Sequence, residues 1–402
     1  MKGFEWMERK IRKITNLGKE VRDELRKERG RIKSFEDEEH LNTTLSWILR
    51  AQDATEDCGV SRGYSTTTLS YAGYRGWEPS YPETTGYIIP TIVFGAEALN
   101  NASLVNRALS MADWEIDIQM PSGAVMSSVV TAEPAPAVFN TGQVIFGWLA
   151  AFKKTEDQKY FNSATRAADY LLSVQESDGS WRKGNSKYAL EKATTYNTRV
   201  AWALIELGLA TQRDEYIDAG KKNIEYALTK QKENGWFSDN CLNDPNRPLL
   251  HTIVYATQGI LESGICLNES KYIDAGLKAL DALLTCQRED GGLPGRLASD
   301  WSSEANWDCL TGDAQVAVSW LRAYAVTNEG KYKEAARKAI QFVKRTQNLE
   351  HTNPGIRGGV KGSFPFDGPY GQYEMLSWAA KFFCDALMMI NDEKLAAGGI
   401  KG

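Results

Sequence analysis

The feature that most constrains this chain is a spacing. Glutamine followed four positions later by glycine occurs at Gln119 and Gly123, Gln175 and Gly179, Gln231 and Gly235, and Gln287 and Gly291, each glutamine 56 residues after the last. A period of that size marks stacked supersecondary units. Tyr160, Tyr216, Tyr272 and Tyr332 each stand 15 residues ahead of Gln175, Gln231, Gln287 and Gln347, the last pair following after 60 residues instead of 56. The interval of about 15 residues is room for about four helical turns. Within it, segments such as "YFNSATRAADYLLSVQ" and "YIDAGLKALDALLTCQ" repeat apolar residues at three- and four-residue steps while charged residues fill the other face. That is the pattern of an amphipathic surface helix.

A second set of segments alternates with these and is apolar around most of its circumference, as buried helices are. It reads "TTGYIIPTIVFGAEAL", "FNTGQVIFGWLAAF", "YNTRVAWALIELGLA", "LHTIVYATQGILESG", "LTGDAQVAVSWLRAYA" and "YGQYEMLSWAAKFFCDALM". Outer helices follow the first five inner ones, and "DEEHLNTTLSWILRAQ" ahead of the first closes the count at twelve. The expectation is an all-α chain, an (α/α)6 toroid of alternating outer and inner helices with an extra N-terminal helix. Residues 1–35 form a charged helical extension and 36–402 one toroid domain, since no Pro-, Gly- or Ser-rich linker interrupts the period. The amphipathic extension is a docking surface through which the chain would form an oligomer.

Composition excludes several classes. A net charge of −5 lacks the basic face that nucleic acid demands. No apolar run reaches the roughly 18 residues of a membrane span, and "MKGFEWMERKIRKITN" carries charge where a signal peptide is apolar. The expected location is cytoplasmic. Six cysteines lack a C-x-x-C spacing and only three histidines are present. The reading is therefore free thiols, no metal site and no cofactor.

The two ends of the ring differ. Inner-to-outer connections are short, whereas outer-to-inner ones are long and rich in Trp, Gly, Arg and Asp, as in "QREDGGLPGRLASDWSSEANWD". Loops held by rigid helices carry binding residues, and the same face collects the N-termini of all six inner helices, which favour an anionic or hydroxylated ligand. Polar residues at these inner starts include Tyr81, Glu83, Asn140, Gln143, Asn197, Arg199, His251, Asp308, Asp313, Tyr370, Tyr373 and Glu374. They are either helix caps or ligand contacts, and Arg199, His251, Tyr373 and Glu374 are poor caps. Trp77 and Trp307 lie outside the repeat consensus and offer flat faces for sugar stacking, while Trp181 and Trp236 read as staples of loop to helix.

"LLSVQESDGSW" resembles the Q-x-x-x-G-x-W repeat of the terpene cyclases. The helix alternation resembles the wider six-hairpin toroid superfamily of glycoside hydrolases, polysaccharide lyases, N-acylglucosamine 2-epimerases and unsaturated glucuronyl hydrolases. Two segments, "GVSRGYSTTTLSYAGYRGWEPSYPETTGYIIPT" and "GIRGGVKGSFPFDGPYGQYEMLSWAAKFFCDAL", are similar to toroid proteins of polysaccharide-biosynthesis loci. The second also resembles, weakly, the C-terminal helical domain of glucuronyl C5-epimerases. These resemblances imply carbohydrate chemistry. A terpene cyclase would need a D-x-D-D or D-D-x-x-D element, and neither occurs.

Two mechanisms fit the residues. Hydrolysis needs two carboxyl groups, for which Glu83, Asp308, Asp313 and Glu374 are the available set. Proton abstraction at a uronate C5, leading to elimination or epimerisation, needs a base, a proton donor and a cation or amide on the carboxylate. Tyr81, Tyr373 and His251 supply the first two, with Arg199 or Arg296 and Asn197 gripping the carboxylate. The catalytic set is therefore Glu83, His251, Asp313, Tyr373 and Glu374. Substrate contacts are assigned to Arg62, Trp77, Tyr81, Asn140, Gln143, Asn197, Arg199, Arg296, Trp307 and Tyr370. Arginines on the functional face of an acidic chain point to an acidic oligosaccharide or polysaccharide as partner. The competing readings are a non-catalytic glycan-binding scaffold of polysaccharide biosynthesis and, behind it, a terpene-cyclase-like toroid.

Overall fold

A computed structural model of the chain describes residues 18–28, 35–131, 133–184, 189 and 195–402. The outer helices are α2 (Asp37–Asp53), α4 (Ser103–Asp117), α6 (Gln158–Val174), α8 (Asp214–Leu228), α10 (Ser270–Cys286) and α12 (Gly330–Thr346). Between them run the inner helices α3 (Pro82–Ala98), α5 (Val138–Thr155), α7 (Thr198–Thr211), α9 (Leu250–Leu267), α11 (Leu310–Thr327) and α13 (Ser377–Asn391). Each inner helix packs on the next, and α13 returns to α3 and α2, so the ring is closed. The expected (α/α)6 toroid is what forms. Its inner helices are buried on nearly all sides, with Trp148, Trp202 and Trp320 fully enclosed, which is why their sequences show no polar stripe.

The 56-residue period has a physical cause. The Gln119 amide donates to the carbonyls of Gly123 (2.9 Å) and of Ser163 on the next outer helix (3.0 Å). Gln175 repeats this with Gly179 and Ala219, Gln231 with Gly235 and Ala275, and Gln287 with Gly291 and Ala335. One side chain thus ties its own loop to the neighbouring hairpin. Gln347 closes the circle by donating to Thr44 of α2 and to Gly358. Gln52, outside the sequence pattern, does the same toward Cys58 and α4. The glycines are dictated by geometry: Gly235 has φ 86°, and a Cβ there would lie 2.8 Å from the Lys278 carbonyl oxygen. The tyrosines form a second stitch. Tyr160, Tyr216, Tyr272 and Tyr332 donate to Asp113, Asp169, Glu225 and Asp281, each on the preceding outer helix.

Two short sheets, absent from the all-helical expectation, lie in the long loops. β1 (Gly63–Ser65) pairs antiparallel with β2 (Gly76–Trp77) and with β5 (Glu374–Leu376), and β3 (Asp308–Cys309) with β4 (Ser363–Phe364). The first of these joins the opening and closing loops of the ring. Of the charged extension, residues 1–17 and 29–34 lie outside the described residues; α1 (Lys19–Lys27) is helical. It docks on its own chain: Val21 is buried, and Glu24 and Glu28 pair with the buried Lys361 at 3.1 and 2.8 Å. The expected docking face for a second copy is, in this part, turned toward the loop after α12. At the opposite end of the ring, α14 (Glu393–Gly398) crosses the base, where Arg322 donates to the Ala396 carbonyl at 2.7 Å. Among the described residues no helix is long and apolar enough to cross a membrane. All six cysteines are free.

Candidate functional site

The long loops and the N-termini of the inner helices surround a cavity of about 570 Å³. Aromatic rings form much of its wall: Tyr71, Tyr81, Phe139, Tyr196, Tyr255, Trp307, Tyr370 and Trp378. Charge enters from Arg62, Arg296, Glu83 and Glu374. This combination of flat apolar surface and a few directional polar groups suits a polyhydroxylated ligand.

The β1–β5 pairing places Arg62 against two acids. Its Nη1 lies 2.6 Å from Glu78 and 3.3 Å from Glu374, and its guanidinium lies over Tyr71 at 5.4 Å and Trp378 at 5.1 Å. Burial opposes the charge, but Glu78 and Glu374 hold the guanidinium firmly protonated. Glu374 is fully buried, and burial raises its carboxyl while Arg62 pulls it back. Arg296 sits at the other wall, fixed by donation to the Arg247 carbonyl (2.7 Å) and to Asn243 (3.1 Å).

Glu83 stands in the first turn of α3, where Pro82 opens the helix. Tyr81, just ahead of the helix, donates its hydroxyl to Glu83 at 2.9 Å. Burial pushes the Glu83 carboxyl up to about 7, against the opposing pull of Tyr81, Arg199 and Arg62. A carboxyl group that titrates near neutrality can both give and take a proton at working pH. His251, in the first turn of α9, is pushed by burial down to about 3 and is neutral. Its ring lies 4.2 Å from that of Tyr255 and 5.9 Å from that of Tyr370. Its Nδ1 lies 2.9 Å from Gln315 Oε1.

Eight of the expected residues meet at the cavity: Glu83, His251 and Glu374 from the catalytic set, and Arg62, Tyr81, Arg296, Trp307 and Tyr370 from the binding set. The others do not line it. Asp313 is buried behind the wall, accepting from the Leu293 N–H at 2.9 Å. Its neighbour Asp308 forms an ion pair with Arg288 at 2.7 Å. Tyr373 adopts a left-handed backbone (φ 62°), packs its ring on Phe366 at 5.8 Å and accepts at its carbonyl from Thr66. Trp77 is wedged between Trp47 and Tyr64 at ring separations of 5.2 and 5.1 Å. Asn140 donates to the Met126 carbonyl and Asn197 to that of Trp181, so both hold loops in place. Arg199 and Gln143 are wholly buried and bonded to each other at 2.9 Å. The Arg199 guanidinium lies inside the ring, over Phe146 of α5 at 6.0 Å, Tyr255 of α9 at 4.9 Å and Phe382 of α13 at 5.5 Å.

Sequence reading missed Tyr71, Tyr196, Tyr255 and Trp378. Tyr255 carried a signal, for it follows His251 by four positions and so shares its helix face. Tyr71 carried none, because only the docking of its loop brings it beside Arg62. Trp181 and Trp236 are buried, and Trp181 donates to the Leu171 carbonyl at 2.9 Å, stapling its loop to α6. Among the described residues, no cluster of three or more His, Cys, Asp or Glu side chains is arranged to hold a metal ion.

The profile of the squalene-hopene cyclase C-terminal domain matches residues 135–261. No curated protein matches the sequence. Among solved structures, a sugar epimerase from a ruminal bacterium is similar with a TM-score of 0.69 at 15% identity, covering 88% of this chain and 97% of that one. An unsaturated glucuronyl hydrolase specific for heparin is similar with a TM-score of 0.67 at 14% identity, covering 89% and 97%. The cellobiose 2-epimerase of Bacillus thermoamylovorans gives 0.67 at 13%, covering 88% and 97%. At such identities the likeness is one of fold, and it agrees with the closed ring of paired helices: the chain is a six-hairpin (α/α)6 toroid.

Proposed function

We propose that the chain is a carbohydrate-active enzyme that processes a uronate-containing oligosaccharide or polysaccharide by acid/base chemistry at the mouth of the ring. The observation that carries this reading is Glu83, titrating near neutrality in an aromatic cavity that also presents Arg62 and Arg296. The carboxyl group supplies and recovers a proton, Tyr81 orients it, and an arginine receives the sugar carboxylate. Arg296 is the better candidate for that contact, because Arg62 is already committed to Glu78 and Glu374. The fold neighbours include enzymes whose names state action on unsaturated glucuronyl groups and on cellobiose, which supports a sugar substrate. The cyclase profile falls on the repeat segment, and the glutamine–glycine stitch accounts for a shared repeat without shared chemistry. The division of the chain at residue 35 and a cytoplasmic location belong to the same proposal.

The test is a panel of uronate oligosaccharides, saturated and unsaturated at the non-reducing end, incubated with the protein. New reducing ends signify hydrolysis, a gain of ultraviolet absorbance signifies elimination, and NMR evidence of inverted C5 signifies epimerisation. Turnover of neutral sugars alone would overturn the acidic-substrate reading. Binding without any turnover would establish the scaffold alternative instead.

A further inference from the structure

A chain of buried amides runs from Arg199 to His251 beneath the cavity, and the chemistry proposed above leaves it unexplained. Arg199 Nη1 donates to Gln258 Oε1 at 2.6 Å, and Gln315 Nε2 reaches the same oxygen at 3.3 Å. Gln315 Oε1 then faces His251 Nδ1 at 2.9 Å. All four side chains are buried and come from three successive inner helices, α7, α9 and α11.

The direction of each bond follows from one fact. A guanidinium has donors only, so the Gln258 atom facing Arg199 must be the amide oxygen. That oxygen in turn obliges Gln315 to present its NH₂ to Gln258, leaving its own oxygen toward the imidazole. A flipped Gln315 would set two oxygens against each other in a buried seam. His251 must therefore carry its proton on Nδ1. Its Nε2 makes no hydrogen bond within the described residues, and the ring lines the cavity.

We infer that Arg199, acting through Gln258 and Gln315, fixes His251 in the tautomer with hydrogen on Nδ1 and a lone pair on Nε2 at the cavity. Arg199, Gln258 and Gln315 are positioning residues. His251 then accepts a hydrogen bond and cannot give one, so at this wall the site selects a ligand group with a donor, a sugar hydroxyl or an N-acyl amide N–H. A carbonyl or carboxylate oxygen is turned away, which directs an acidic sugar to lay its carboxylate against the arginines. The tautomer belongs to the free protein; its use in selecting a sugar rests on the proposed function.

The experiment is two-bond ¹H–¹⁵N correlation NMR on protein labelled at its three histidines, His40, His251 and His351, without ligand. The His251 signals are assigned by their absence in His251→Gln. A pyrrole-type Nδ1 and a pyridine-type Nε2 are expected at neutral pH. A pyridine-type Nδ1, or a protonated ring, would overturn the inference. Gln258→Leu cuts the relay and is expected to replace the single tautomer by averaged signals. Gln258→Glu keeps an acceptor for both donors and is expected to restore the wild-type pattern. Should Gln258→Leu not fold, Gln315→Leu removes the acceptor one link nearer and is expected to give the same averaging. An unchanged tautomer in a folded leucine variant would refute the relay. Because no substrate is present, failure of the glycan assays would leave this result standing.

Discussion

Glu83→Gln separates the chemistry of the site from its structure. Glutamine keeps an oxygen for the Tyr81 hydroxyl, 2.9 Å away in the wild type, but has no proton to exchange. Turnover should fall by about 10²- to 10⁴-fold, the usual contribution of a positioned acid or base. Stability should move the other way. The Glu83 carboxyl is raised from 4.5 to about 7, chiefly by burial. Below 4.5 the group is protonated in both folded and unfolded chains, and it contributes nothing. As pH rises through that value the unfolded chain ionises first, so the wild type loses stability until the folded group also ionises near 7. At about 1.36 kcal/mol per pH unit, the accumulated loss is about 3 kcal/mol. Glutamine does not titrate, and the remaining groups cancel between wild type and variant. Urea denaturation at pH 4 and pH 8 should therefore show the difference in unfolding free energy shift by about 3 kcal/mol in favour of the variant at the higher pH. A variant that retains wild-type turnover, or a difference that does not change with pH, would refute the assignment.

Three other outcomes are expected. Arg296→Gln should weaken binding of a uronate oligosaccharide about tenfold or more, the effect of about 1.4 kcal/mol, and leave its reduced, uncharged analogue unaffected by titration calorimetry. Gln119→Leu removes two hydrogen bonds and strands the carbonyl of Gly123, while that of Ser163 keeps its helical bond; denaturant titration should show a loss of about 1–3 kcal/mol, and a loss below about 0.5 kcal/mol would deny the stitch its role. Gly235→Ala forces a side chain into a left-handed backbone against the Lys278 carbonyl. It should cost at least 1–2 kcal/mol, measured in the same way.

The ring was legible in the sequence because its causes are local and periodic. A glutamine at each outer helix end, a glycine in the left-handed turn after it and a tyrosine opening the next outer helix are short-range signals, and 56-residue repetition multiplies them. Burial all round the inner helices left the same trace in α5 and α9, whose sequences lack a polar face. The end that carries the cavity was legible for a similar reason, since long loops alternate with short ones.

Which polar residues reach the cavity was decided elsewhere. Asn140, Asn197 and Arg199 share with Glu83 and His251 a place at the start of an inner helix, yet the first two hold loops and Arg199 is enclosed among aromatic rings inside the toroid. A residue advances by about 100° around a helix, so which way a side chain points depends on how each helix is rotated against its neighbours. No single-helix pattern records that rotation. The Arg62 cluster depends on still longer range: Arg62 and Glu374 meet because strands from opposite ends of the chain pair as the ring closes. The sequence by itself determined the toroid and the end at which its cavity opens, because local hydrogen bonds and burial repeat along the chain. Only the tertiary structure decided which residues that end exposes, because closing the ring sets the rotation of every helix at once.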